Sequence, residues 1–98
     1  MQVMKFGGAS VKDADAVRNV SRIIGNFLPQ NRLVLVISAM DKTTNHLEKL
    51  AWSARDFRES ETWEQFRRIR DFHLGVVNGL FGDDGATVKA EVEQYFKT

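Results

Sequence analysis

Leu33-Val34-Leu35-Val36-Ile37 is an unbroken apolar run in which three of five residues are β-branched. No polar residue alternates with them. A strand covered on both faces reads this way, as in a parallel sheet with helices above and below. Upstream, Val3, Met4 and Phe6 form a shorter apolar segment that halts at Gly7-Gly8, which reads as a strand entering a tight loop. Between the two segments, Val17, Val20, Ile24, Phe27 and Leu28 recur at helical spacing, while Arg18, Asn19 and Arg22 fall on other faces. Asp13 or Asp15 suits the start of that helix, because an early carboxylate accepts free backbone N–H groups. Pro29 lies beyond the stripe and helps to stop it. Strand, helix, strand is a βαβ unit with a right-handed crossover, and its class is α/β.

After Ser38-Ala39-Met40-Asp41-Lys42 the pattern turns helical and stays so. Leu47, Leu50, Ala51, Ala54 and Phe57 make one stripe; Trp63, Phe66, Ile69, His73, Val76, Val77 and Leu80 make another. Gly82-Asp83-Asp84-Gly85 is a break, and Val88, Val92 and Phe96 suggest a last short helix. Two strands are too few for a covered parallel sheet, so the Leu33–Ile37 strand wants further neighbours. The chain is expected to be a piece of something longer.

Bulk properties exclude several functions. At 98 residues there is room for one domain, with 43% hydrophobic and 28% charged residues and a single proline. Fourteen basic residues against thirteen acidic leave a net charge of +1, which provides no long-range field for nucleic acid or an anionic membrane. Without cysteine, disulfides, thiol catalysis and cysteine metal sites are out. The N-terminus shows no secretory pattern, and the longest apolar run is far short of the roughly 20 residues that span a bilayer. A cytoplasmic location is the resulting expectation.

Two constellations carry possible chemistry. In Lys5-Phe6-Gly7-Gly8-Ala9-Ser10, glycines let backbone N–H groups approach a ligand, Lys5 adds charge and Ser10 a hydroxyl, with a helix start nearby. These groups can cradle phosphate oxygens, although a glycine pair after a strand also serves as a plain turn. Ser38-Ala39-Met40-Asp41-Lys42-Thr43-Thr44-Asn45 follows the carboxyl end of the central strand, where open α/β sheets bind ligands. Its hydroxyls and amide can hold a carboxylate, or simply cap a helix. Neighbouring parallel strands would bring both segments to one edge. One would serve phosphate and the other a second ligand, an arrangement suited to phosphoryl transfer.

Lys5-Phe6-Gly7-Gly8-Ala9-Ser10-Val11 resembles the aspartokinase signature, commonly written K-F-G-G-[TS]-S-[VL]. Leu33 to Asn45, LVLVISAMDKTTN, resembles that family's second strand and its S-A-x-x-x-x-T-N turn. The resemblance covers roughly the first 50 residues closely and the remainder by pattern. It implies a partial amino-acid-kinase fold, residues 1–98 forming the N-terminal, incomplete portion of the catalytic domain. It implies transfer of the γ-phosphoryl group of MgATP to the side-chain carboxylate of L-aspartate, giving 4-phospho-L-aspartate for lysine, threonine and methionine biosynthesis. On this resemblance Lys5 contacts phosphate and stabilises transition-state charge, Gly7, Gly8 and Ser10 form the phosphate loop, and Ser38 and Thr44 lie near the bound aspartate. ATP with Mg2+ and L-aspartate are the implied ligands, and a homo-oligomer the implied assembly, with no nucleic acid, membrane or separate metal site.

The chemistry agrees with that cast. A carboxylate nucleophile is ionised at neutral pH, its reference pKa being about 4, so no general base is required. The reaction needs a cation and oriented donors between two repelling anions. Ala9 departs from the signature by lacking a hydroxyl. The acidic and arginine residues of the aspartate pocket, the adenine-binding half and the regulatory domains are also missing, so the chain alone is expected to be inactive. Two other readings compete: a free-standing α/β module for a phosphorylated ligand or a protein, and a related kinase for another carboxylate.

The remaining polar and aromatic residues have ordinary explanations. His73 sits on an apolar stripe and reads as packed or hydrogen-bonded, and His46 as solvated or capping. Arg67, Arg68 and Arg70 are offset by Glu59, Glu61, Glu64 and Asp71, which describes an ion-paired face. Trp52, Trp63, Phe66 and Phe72 read as core or inter-helix packing.

Overall fold

The computed structural model describes residues 1–28 and 32–97. Pro29 therefore lies outside the described residues. The chain divides into two compact units, Met1–Lys42 and Thr43–Thr98.

The first unit is α/β. It runs β1 (Gln2–Phe6), a 3-10 turn (Gly8–Val11), α1 (Ala14–Phe27) and β2 (Leu33–Ile37). The strands pair in parallel, with Val3 opposite Val34, Lys5 opposite Val36 and Phe6 opposite Ile37. The ladder extends past both strand ends: Gln2 N–H donates to Arg32 O at 2.9 Å, and Ser38 N–H to Phe6 O at 3.0 Å. Alternation along β1 leaves Met4 and Phe6 half-buried and Val3 and Lys5 exposed. Asp13 is the cap of α1, its carboxylate accepting from Ala16 N–H at 2.8 Å. Asp15, in the first turn, pairs with Arg18 at 2.7 Å. Val20 is buried on the expected stripe, joined by Val11 from the 3-10 turn. Leu28 instead stands outside it, more than half exposed.

The Leu33–Ile37 run is not covered in this chain. Val34, Leu35, Val36 and Ile37 are 39–54% exposed, because among the described residues the sheet stops at two strands. The apolar pattern is that of an inner strand, whereas the described neighbours make it an edge.

The second unit is helical: α2 (Thr43–Arg55), α3 (Glu59–Phe81), a 3-10 turn (Gly82–Gly85) and α4 (Ala86–Tyr95). Its core is Ile69, Val76 and Val77 of α3. Phe66 makes edge-on contacts to Trp63 on the same helix at 5.7 Å and to Phe96, at the end of α4, at 6.0 Å. His73 is packed and bonded as its position predicts, with Nδ1 2.7 Å from Ile69 O. The arginine-rich face is ion-paired, Arg68 with Glu64 and Arg70 with Asp71.

Three sequence expectations change here. In α2 the inward positions are Thr43, His46, Leu50 and Ser53, while Leu47, Ala51 and Ala54 are exposed. Ser53 is tolerated inside because its hydroxyl donates to Lys49 O at 2.8 Å, satisfying itself on its own helix. His46 is half-buried rather than solvated, and its Nδ1 is enclosed without a hydrogen-bond partner. Trp52 and Trp63 are not core residues, since each is just over half exposed.

Phe57 does not extend the α2 stripe, because the helix has already ended. Arg58 N–H donates to Ser53 O at 2.9 Å and Phe57 N–H to Ala54 O at 3.2 Å, the paired closure of a Schellman motif. That closure sets Phe57 at φ 59°, a left-handed position usually given to glycine.

Candidate functional site

The parallel register decides where the first constellation sits. β1 ends at Phe6 and β2 at Ile37, directly opposite, so Gly7 and Ser38 leave the sheet side by side at its carboxyl edge. Lys5, one residue inside that edge, lies on the exposed face with Val3. Its ammonium makes no ion pair within the described residues and is open to an anion. Ser38 is exposed just past the end of β2, where its N–H donates to Phe6 O.

The two glycines meet different demands. Gly7 has φ −76° and ψ 175°, extended backbone that any residue adopts, and a Cβ there would find nothing within 4 Å. Neither conformation nor packing within the chain requires a glycine at this position. Gly8 is required by packing. A Cβ on it would lie 2.9 Å from Asp41 O and 3.1 Å from Ala39 O, both backbone atoms of the loop after β2. In return, Asp41 N–H donates to Gly8 O at 3.1 Å. The two loops are thus clipped together at the edge of the sheet.

Asp41 makes the clip by adopting φ 45°, a left-handed conformation that aspartate tolerates better than most residues. Sequence reasoning placed Asp41 in the second constellation but gave it no role of its own; the available signal was an aspartate in a short strand-to-helix loop, a common site of local turn formation.

Beyond Gly8 the chain makes a 3-10 turn, closed by Ser10 N–H donating to Gly7 O at 3.0 Å. Ser10 is exposed, and its hydroxyl has no bond within the described residues. The positive end of α1 begins only at Ala14, and Asp13 already occupies it. Backbone groups of the 3-10 turn, not the end of α1, therefore adjoin the glycine pair.

Lys5, Gly7, Gly8, Ser10 and Ser38 all belong to the first unit, at or next to the sheet's carboxyl edge. Thr44 belongs to the second, exposed in the first turn of α2. Its neighbour Thr43 is buried instead, at 8% exposure. Among the described residues no group of three or more His, Asp or Glu side chains gathers to hold a metal ion. No helix among them is long and apolar enough to cross a membrane.

Comparison with known proteins agrees with this architecture. Residues 1–93 match the model of the amino acid kinase family. Aspartokinase 2, chloroplastic, from Arabidopsis thaliana is 40% identical over 80 residues, covering 80% of this chain and 14% of the relative. Aspartokinase 1, chloroplastic, from the same plant is 40% identical over 101 residues, covering 97% of this chain and 17% of the relative. Aspartokinase from Mycobacterium tuberculosis (strain ATCC 25618 / H37Rv) is 46% identical over 50 residues, half of this chain and 12% of that protein. The chain thus spans about a seventh to a sixth of the length of the plant relatives. Parallel strands, a glycine pair at their carboxyl edge and a match along nearly the whole sequence lead to one conclusion: this chain belongs to the amino acid kinase family.

Proposed function

We propose that the chain is the N-terminal portion of an aspartokinase catalytic domain. The longer enzyme would transfer the γ-phosphoryl group of MgATP to the side-chain carboxylate of L-aspartate. The observation that carries this reading is the free ammonium of Lys5 beside an open Gly7 at the carboxyl edge of a parallel sheet. An open glycine with ordinary dihedrals makes sense where something outside the chain approaches the backbone closely, and phosphate oxygens do so. Names of the relatives favour aspartate as the acceptor over other carboxylates.

In this mechanism the acceptor carboxylate attacks the γ-phosphorus, and the bond to the β,γ-bridging oxygen breaks. Mg2+ arrives with ATP as part of the substrate and neutralises phosphate charge. Lys5 balances negative charge on the transferring group, while N–H groups after Gly7 orient its oxygens. Ser38, just past the end of β2, would hold the acceptor through a neutral donor. No proton transfer is needed at the nucleophile, so positioning and charge stabilisation carry the rate.

The exposed apolar surface of β2 supports the incompleteness of the unit, because a run of this composition is normally flanked on both sides. By itself the chain would have no kinase activity. The test is Lys5→Ala in a chain extended to the length of its relatives, assayed for ATP-dependent acyl phosphate formation with hydroxylamine trapping. The expected loss in kcat is at least about 10²–10³-fold with unchanged circular dichroism. Turnover within a few-fold of the parent would overturn the assignment.

A further inference from the structure

The first unit contains three side-chain carboxylates, Asp13, Asp15 and Asp41, and no glutamate. Two of them have partners. Asp13 caps α1 through Ala16 N–H, and Asp15 pairs with Arg18 at 2.7 Å. The Asp41 side chain is exposed and makes no hydrogen bond or ion pair among the described residues. Its backbone, by contrast, is fixed. Asp41 N–H donates to Gly8 O at 3.1 Å, and Asp41 O lies 2.9 Å from where a Gly8 Cβ would stand. A free negative charge is thereby anchored against the glycine pair, at the sheet edge where the ammonium of Lys5 is also free.

Neither backbone nor packing calls for a carboxylate at this position. Glycine meets φ 45° without strain, and asparagine meets it as well as aspartate does. The charge itself is the property that local structure leaves unexplained. A carboxylate beside a triphosphate is repelled unless a cation lies between them. In sites that handle nucleoside triphosphates, Mg2+ is held by one or two carboxylates together with phosphate oxygens, and water completes its octahedron. One anchored carboxylate next to the phosphate loop is enough for that arrangement. No cluster of three acidic or histidine side chains is required, and none forms among the described residues.

We propose that Asp41 holds the Mg2+ that arrives with ATP and so makes the site selective for the metal-loaded nucleotide. Lys5 and Asp41 then divide the phosphate charge between them: the ammonium meets the oxygens directly, and the carboxylate meets them through the cation. The inference rests on the proposed reading of the Lys5-to-Ser10 loop as a phosphate cradle, and it adds a metal contact from the loop after β2.

The test is calorimetric titration with ATP, with Mg2+ and in EDTA, of the chain extended to the length of its relatives and of its Asp41→Asn variant. Asparagine removes the charge and tolerates the left-handed backbone. The variant should bind MgATP at least about tenfold more weakly, the usual loss when a group supporting a metal is removed. It should bind metal-free ATP no more weakly than the parent, because a repulsive charge has gone. Should Asp41→Asn lose its circular dichroism, Asp41→Gly, which suits φ 45°, decides by the same titration. Unchanged affinity for MgATP would overturn the proposal. So would an equal loss with Mg2+ and in EDTA, the mark of a disturbed loop rather than a lost metal contact. A parent that binds MgATP yet forms no acyl phosphate would refute the proposed reaction and leave the metal contact standing, whereas a parent that binds no ATP would overturn both.

Discussion

Gly8→Ala is the sharpest perturbation available in this fold, because its cost follows from two distances. The added methyl carbon would lie 2.9 Å from Asp41 O and 3.1 Å from Ala39 O. Carbon and carbonyl oxygen rest together at about 3.3–3.6 Å even in favourable contacts. Both oxygens belong to backbone, so neither can rotate aside, and the loop after β2 must move away by several tenths of an ångström. Overpacking of this kind costs about 1–3 kcal/mol. Losing the 3.1 Å bond from Asp41 N–H to Gly8 O adds about 1 kcal/mol. Against this stands a gain of about 0.4–1 kcal/mol from the stiffer unfolded chain. The net destabilisation is about 1–3 kcal/mol, read as a lower urea midpoint by circular dichroism. Gly7→Ala is the control. Its methyl group meets nothing within 4 Å, and its backbone is already extended, so stability should be unchanged or slightly raised. In the extended protein, the same Gly7→Ala change should weaken ATP binding by calorimetry, since the methyl would stand where a phosphate is proposed to approach. Equal stabilities for the two alanine variants would refute the division of roles between the glycines.

Other substitutions test the elements that frame the site. Asp13→Ala should cost about 1 kcal/mol by removing the cap of α1, and hydrogen exchange should quicken at Ala16 N–H, which Asp13 now holds at 2.8 Å. Gly85→Ala should destabilise the helical unit by about 1–3 kcal/mol, because its Cβ would meet Phe81 Cβ at 2.9 Å. Gly25→Ala, in the exposed interior of α1 with open space around it, should stabilise by up to about 1 kcal/mol in the same urea experiment.

The βαβ start was legible because its signals are local: an apolar run, a helical stripe with an aspartate before it, and glycines after a strand. α3 was legible from Ile69, Val76 and Val77 for the same reason. The face that α2 buries was not, since Leu47, Ala51 and Ala54 are as apolar as an inward stripe should be, yet Thr43 and Ser53 are the buried residues. Periodicity reports which positions share a face, not which face finds a partner. The end of α2 misled for another reason. Phe57 continues the hydrophobic spacing, but the Schellman closure turns the backbone beneath it, and no glycine marks the place. At the candidate site, the residue types in Lys5 to Ser10 were visible in the sequence. That Gly8 serves the packing of two loops while Gly7 stays open became visible only with the Ala39 and Asp41 carbonyls in place.

The clip between Gly8 and Asp41 bears on the proposed chemistry as well as on stability. Transfer between two anions gains its rate from holding them in line, and a misplacement of about 1 Å can cost about a hundredfold. In this chain the ladder closes with Ser38 N–H on Phe6 O, and three residues later Asp41 N–H closes on Gly8 O. The loop that follows Lys5 and the loop that follows Ser38 are thereby fixed to one another before α2 begins. On the proposed reading, the first carries the phosphate and the second leads toward the acceptor. Gly8→Ala in the extended enzyme should then lower kcat by more than the small unfolded fraction accounts for, while Gly85→Ala, of similar cost to stability but in the helical unit, should leave kcat near the parent value below its unfolding midpoint. Equal effects of the two on kcat would show that the clip serves the fold alone.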